Sequence, residues 1–148
     1  MSVSKKNVLI ATTGAADYES MKKVMDEGKP PVNFYWAATG KELLDCLSCR
    51  GKFKTLEPSA VPQLIFLDFR LQGPTASDVL KQIKSDEQLK KIPVIVFSDG
   101  VPGAQARLSY ELGSASFIPR PSASPEFEEA VRLLKHYWLE IVELPPNA

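Results

Sequence analysis

The chain has 148 residues and a mass of 16.3 kDa, which is the size of one compact domain. Apolar residues make up 44% of it and charged residues 24%, the balance of an ordinary globular protein. Eighteen basic and eighteen acidic side chains give a formal net charge of zero, whereas nucleic acids and anionic membranes are bound through a basic excess. We therefore expect neither as a partner. The short apolar runs and an N-terminus unlike a secretory signal predict a cytoplasmic protein.

Short apolar runs alternate with segments of helical periodicity along the chain. The runs predict five strands, at residues 8–11, 32–37, 64–67, 94–97 and 116–118. The amphipathic segments that follow them predict five helices, at residues 16–26, 40–50, 75–84, 104–111 and 125–143. Residues 51–62 predict a surface loop. This alternation indicates a single α/β domain over residues 1–148, with a parallel sheet between two layers of helices and no output domain.

The last predicted helix is longer than its sheet requires. It would span roughly 30 Å at 1.5 Å per residue, whereas typical strands are ~17–20 Å long. Its core stripe consists of Phe127, Ala130, Val131, Leu134, Trp138 and Ile141. Leu139, Val142 and Leu144 lie off that stripe, and a second copy commonly covers such an apolar patch. We therefore expect a symmetric homodimer through these three residues. The alternatives are that residues 145–148 fold back over them, or that the fourth helix and fifth strand form the interface.

The two cysteines, Cys46 and Cys49, form a Cys-x-x-Cys motif. In a thioredoxin-like site this motif begins a helix directly after a strand, where the helix dipole lowers a thiol pKa. Here it falls one or two turns into the second predicted helix. We expect two partly buried structural thiols.

Polar residues follow several of the predicted strands at the point where each strand ends. Thr12 and Thr13 follow the first strand, and Asp68 and Arg70 follow the third. Ser98 and Asp99 follow the fourth, and Arg120 follows the fifth. Ligands of open parallel α/β sheets bind at the carboxyl ends of the strands. The sequence therefore predicts one polar crevice at this edge, containing Asp68, Ser98 and Arg120.

Three segments together resemble the receiver domain of response regulators. They are Gln63-Leu-Ile-Phe-Leu-Asp68, then Ile92-Pro-Val-Ile-Val-Phe-Ser98, and Ser116-Phe-Ile-Pro-Arg120-Pro121. Ser98 follows Asp68 by 30 positions and Arg120 follows it by 52, as in that family. The tail Tyr137-Trp-Leu-Glu-Ile-Val-Glu-Leu-Pro is similar to stand-alone receivers that accompany phytochrome histidine kinases. The resemblance implies a doubly wound CheY-like sheet in the order 2-1-3-4-5, two-component phosphorelay signalling and a sensor histidine kinase or other signalling protein as partner.

The resemblance also implies a role for each of the matching residues. Asp68 takes the place of the phospho-acceptor, Ser98 that of the switch hydroxyl and Phe117 that of the switch aromatic residue. Arg120 takes the place of the lysine that pairs with the phosphoryl group. Asp68 and the backbone carbonyl of Arg70 take two places in the family's metal site.

The sequence departs from the family where the metal site is completed. Thr12 and Thr13 stand where the family has adjacent acidic residues that help to hold Mg²⁺. Because Mg²⁺ prefers charged oxygen ligands, we expect it to bind weakly or not at all. Asp17 and Asp99 are weaker substitutes, since their offsets place them past the pocket.

Two expectations concern the arginines. We expect Arg120, together with Arg70, to pair directly with Asp68 and so replace a metal-bound state. The family's lysine-proline peptide is cis, and we expect the same isomer at Arg120-Pro121.

Alternative functions remain at this point. The first is a receiver that accepts phosphate on Asp68. The second, which Thr12 and Thr13 favour, is a pseudo-receiver that acts through protein contacts alone. A third is a flavodoxin-like FMN-binding electron-transfer protein, since Thr13-Gly14 matches the centre of the phosphate loop of that class. We expect no catalytic residues and a non-enzymatic signalling role.

Overall fold

The computed structural model describes residues 6–27, 32–98 and 102–146. It contains a five-stranded parallel sheet in the order β2-β1-β3-β4-β5, which confirms the predicted fold class and strand order. The strands are β1 Lys6–Ala11, β2 Val32–Ala37, β3 Leu64–Asp68, β4 Val94–Ser98 and β5 Ser116–Pro119. The helices are α1 Ala15–Met25, α2 Gly40–Leu47, α3 Ala76–Ser85, α4 Pro102–Glu111 and α5 Ser124–Lys135. In the part of the chain that the structure describes, no helix combines the length and apolar composition needed to cross a bilayer.

Two apolar cores lie on opposite faces of the sheet. Leu9, Ile65 and Val96 point to the face that α2 and α3 cover, through residues such as Leu43 and Val79. Val8, Phe66 and Ile95 point to the face that α1 and α5 cover. Every residue of β3 and β4 is buried, as expected for central strands of a doubly wound sheet.

The second helix ends earlier than its sequence pattern predicts, at Leu47 instead of residue 50. Cys49 has a φ of 54° and leaves the helical conformation, and the N–H of Arg50 donates to the carbonyl of Asp45. The predicted loop at 51–62 contains two short 3₁₀ turns, Gly51–Phe53 and Pro58–Ala60. Both cysteines are free, and burial raises the pKa of the Cys46 thiol to about 12. This thiol is therefore protonated and unreactive at neutral pH, as expected of a structural cysteine.

The end of α5 corrects the predicted dimer face. After Lys135 the helix widens into a π-helical segment, His136–Ile141, in which the N–H of Val142 donates to the carbonyl of Tyr137, five residues back. The wider turn rotates Leu139 towards the core, and Leu144 is buried there too. Ile141, predicted to lie on the core stripe, is instead 62% exposed. Leu139, Val142 and Leu144 are therefore not an exposed patch, because the chain buries Leu139 and Leu144 in its own core.

Candidate functional site

The carboxyl ends of the strands bring the predicted polar residues to one edge. Asp68 is the last residue of β3 and Ser98 the last of β4, while Thr12 follows β1 and Arg120 follows β5. In the parallel register Asp68 lies beside Phe97, and Ser98 beside Pro119. The predicted residues thus lie at one edge of the sheet, and the contacts between their side chains determine the chemistry of this edge.

Asp68 is completely buried, and both of its carboxylate oxygens are engaged. Oδ1 accepts hydrogen bonds from the backbone N–H of Arg70 at 2.9 Å and from its Nε at 3.1 Å. Oδ2 accepts from Nη2 of Arg70 at 2.8 Å and from the Thr12 hydroxyl at 3.2 Å. The guanidinium and the carboxylate therefore form a two-pronged ion pair, which has the favoured geometry for these groups.

Asp17, in the first turn of α1, connects the two arginines. Its Oδ1 lies 2.5 Å from Nη2 of Arg120, and its Oδ2 lies 3.5 Å from Nη2 of Arg70. The prediction that Asp17 lies past the pocket was wrong, because α1 begins three residues after Thr12 and its first turn faces the strand ends. Asp68, Arg70, Asp17 and Arg120 thus form a chain of alternating charges.

Arg120 does not make the direct pair with Asp68 that the sequence predicted; Asp17 takes its guanidinium instead. The prediction of a cis Arg120-Pro121 bond was also wrong: the cis peptide among the described residues is Gly73-Pro74. With the trans bond, the longer arginine side chain runs across the ring of Phe127, with Cζ 4.2 Å from the ring centre, and ends at Asp17. The buried Nε of Arg120 has no hydrogen-bond partner among the described residues. The positive charge of Arg120 is neutralised by Asp17, which pairs with its Nη2.

The two residues in the switch positions contact α4 and the β3–α3 loop. The Ser98 hydroxyl donates to Oε1 of Gln105 on α4 at 2.6 Å. Phe117 is buried and packs edge-on against Phe69, with ring centres 6.5 Å apart. Its backbone N–H donates to the hydroxyl of Tyr110. Sequence reasoning missed Gln105, and no signal in the sequence marks it as a partner of Ser98.

The loop after β1 is fixed from the edge of the sheet. Thr12 is buried and Thr13 is exposed. The indole Nε1 of Trp36 on β2 donates to the Thr12 carbonyl at 2.9 Å, and its ring stacks on Tyr18 of α1. These contacts orient Thr12 so that its hydroxyl meets Asp68.

The donor set does not fit the divalent cation that the fold family implies. The described residues contain no group of three or more His, Cys, Asp or Glu side chains placed to hold a metal, and Asp99 lies outside the described residues. The two carboxylates at the site, Asp68 and Asp17, are both paired with guanidinium groups. The third side chain, Thr12, is neutral, and its hydroxyl donates a hydrogen bond to Asp68. Such a set lacks the several charged and available oxygens that Mg²⁺ requires.

Comparison with known proteins shows what the chain is similar to. No model of a known protein family matches the chain. It is 31% identical over 105 residues to the probable methanogenesis regulatory protein FilR2 of Methanothrix harundinacea, a match that covers 70% of this chain and 64% of FilR2. It is 26% identical over 140 residues to the response regulator Rcp1 of Synechocystis, covering 95% of this chain and 93% of Rcp1.

Solved structures agree with these relatives. The Mn²⁺-bound form of Rcp1 superposes with a TM-score of 0.87 at 25% identity, over 95% of this chain and 99% of that one. The phosphorylated cyanobacterial phytochrome response regulator RcpA superposes with a TM-score of 0.88 at 25% identity, over 96% and 99%. These matches do not favour the flavodoxin alternative. With Asp68, Ser98 and Arg120 at the ends of β3, β4 and β5, the chain has the CheY-like receiver fold, and its homologues are receiver domains of two-component response regulators.

Proposed function

We propose that this receiver signals through protein contacts that do not depend on phosphorylation of Asp68. The observation that carries the proposal is the state of the Asp68 carboxylate, which accepts four hydrogen bonds, three of them from Arg70. A carboxylate has about four lone-pair positions, so this one is saturated.

Phosphorylation would require an Asp68 oxygen to form a bond to phosphorus while the donor's leaving group departs. That oxygen first has to lose the Arg70 fork or the Thr12 hydroxyl. Charge on the transferring phosphoryl group is ordinarily neutralised by a metal ion, and the acidic residues at this site are committed to arginines. The buried, fully paired carboxylate supports a site that is closed to this chemistry.

The test is incubation of the purified chain with Mg²⁺ and acetyl phosphate, followed by intact mass spectrometry. We expect no adduct, with Asp68→Asn as the matched blank and a phosphorylatable receiver treated in parallel as the positive control. An adduct on the unchanged chain that is absent from Asp68→Asn would overturn the proposal and assign Asp68 as a working phospho-acceptor.

The proposed partner is a sensor histidine kinase or another signalling protein. The relatives named above include a phytochrome response regulator, which favours a kinase of the phytochrome type. A binding assay with the purified kinase should give the same affinity for the unchanged chain and for Asp68→Asn. A large loss of affinity in Asp68→Asn would mean that the acceptor position controls the contact.

We also propose a homodimer, through a face different from the one that the sequence predicted. Leu133, Tyr137 and Ile141 are 63%, 52% and 62% exposed and follow one another along the outer side of α5 and its π-helical extension. Such a stripe on a two-fold axis is self-complementary. Sedimentation should show a dimer for the unchanged chain and a monomer for Leu133→Glu/Ile141→Glu. The control Lys81→Gln/Gln82→Glu on α3 changes the net charge by the same amount and should remain dimeric.

A further inference from the structure

We infer that Arg70 is a built-in cation that occupies the position of the divalent metal, and that Asp17 supplies the second carboxylate of that position. This inference concerns the same site as the proposed function and rests on it for the biological role of the closed carboxylate. It predicts how tightly the site binds a divalent cation, which can be measured without any phosphoryl donor.

A single nitrogen of Arg70 lies between two carboxylates that come from different elements. Its Nη2 is 2.8 Å from Oδ2 of Asp68, at the end of β3, and 3.5 Å from Oδ2 of Asp17, in α1. A cation at this point has one charged oxygen on each side. Because this guanidinium and that of Arg120 are there already, the two aspartates are neutralised without an added ion.

A metal ion and this guanidinium cannot share the position. Mg²⁺ binds carboxylate oxygens at about 2.0–2.1 Å, whereas Arg70 stands within hydrogen-bond distance of the same oxygens and carries the same sign of charge. Binding of a metal therefore requires Arg70 to leave both aspartates. Its side chain is 46% exposed, so it can leave without disturbing the core.

Arg120 is a positioning residue for Asp17. It holds Oδ1 of that carboxylate at 2.5 Å and so turns Oδ2 towards Arg70. The aromatic ring of Phe127 in turn supports Arg120. Removal of Arg70 would thus leave Asp17 and Asp68 facing one common point. Arg120 would still hold Asp17 in its present orientation.

The experiment is a Mn²⁺ titration followed by electron paramagnetic resonance of the free ion. We expect Arg70→Met to bind Mn²⁺ at least about tenfold more tightly than the unchanged chain. The gain should be lost in Arg70→Met/Asp17→Asn. It should also be absent from Arg132→Met, which removes the same charge from an exposed pair on α5 and serves as the matched control.

The outcomes separate this inference from the proposed function. If Arg70→Met binds Mn²⁺ no more tightly than the unchanged chain, Arg70 does not occupy the position of the metal. If the double variant keeps the gain, Asp17 is not the second carboxylate. If Arg70→Met does not fold, the titration is carried out on Arg70→Gln, which keeps an amide donor for Asp68. A phosphoryl adduct on the unchanged chain contradicts only the proposed function.

Discussion

Two arginine–carboxylate pairs in this domain share one geometry and differ in their surroundings. In the site, Nε and Nη2 of Arg70 lie 3.1 and 2.8 Å from the oxygens of Asp68. Between α1 and α5, Nε and Nη2 of Arg132 lie 3.1 and 3.2 Å from those of Glu27. The Asp68 side chain is fully buried, whereas that of Glu27 is 46% exposed.

The difference shows that burial, and not the number of hydrogen bonds, determines what each pair contributes. An exposed carboxylate that loses its arginine is solvated by water, so little free energy is lost. A buried carboxylate that loses its arginine remains in a medium that solvates charge poorly. The pair of Arg70 and Asp68 therefore keeps the Asp68 carboxylate occupied. The pair of Arg132 and Glu27 only adds to the contact between α1 and α5.

The largest effect is expected for Arg70→Met. Of the four hydrogen bonds to the buried Asp68 carboxylate, this change leaves those from the Thr12 hydroxyl and the backbone N–H of residue 70. Because the carboxylate loses its ion pair, the free energy of unfolding should fall by about 3 kcal/mol. Urea denaturation measures this change. Arg70→Lys, which keeps the charge but not the fork, should lose less. A loss no larger than that of Arg132→Met would mean that the burial of Asp68 does not strengthen its pair with Arg70.

Asp17→Asn should have the next largest effect, a loss of about 2 kcal/mol in the free energy of unfolding. The reason is that Arg120 is mostly buried and would lose the carboxylate that neutralises it. Because both residues belong to one pair, Asp17→Asn/Arg120→Met should lose less than the two single variants added together. Additive losses, measured by the same urea titration, would show that Asp17 and Arg120 are not coupled.

Thr12→Val tests the neutral side-chain donor on Asp68, the Thr12 hydroxyl. It removes the hydroxyl and keeps the shape, so we expect a loss of about 1 kcal/mol in the free energy of unfolding. Thr13→Val, one residue further on and exposed, is the matched control and should change the unfolding midpoint hardly at all. Equal effects at the two positions would contradict the hydrogen bond between Thr12 and Asp68.

The strand ends were predictable from the sequence because apolar runs mark buried strands. The run that ends at Leu67 places Asp68 at the carboxyl edge, and the run that ends at Phe97 does the same for Ser98. Asp17 was also within reach of the sequence. It lies in the first turn of the helix that follows β1, and in an α/β sheet that turn faces the strand ends.

The direction of long side chains could not be predicted in the same way. Arg70 and Arg120 are equally able to reach a carboxylate, and their choice of partner depends on where α1 packs and on the ring beneath Arg120. The widening of the helix after Lys135 is likewise invisible in the residue pattern. It results from backbone hydrogen bonds that shift to the carbonyl five residues back, which turns Leu139 inward and Ile141 outward.

The smallest effect is expected for Arg132→Met, and it should depend on pH. The hydrogen-bonded guanidinium of Arg132 holds the pKa of Glu27 below its ordinary value of 4.5. A lowered pKa in the folded state contributes stability above the ordinary pKa, and that contribution is lost as the pH falls through the lowered value. The unchanged chain should therefore be slightly more stable than Arg132→Met at neutral pH, and the difference should shrink between about pH 6 and about pH 3. Paired urea titrations across this range measure it, and added salt should reduce it further because both groups are exposed. A difference as large as that of Arg70→Met, or one that grows in acid, would contradict the contrast between the two pairs.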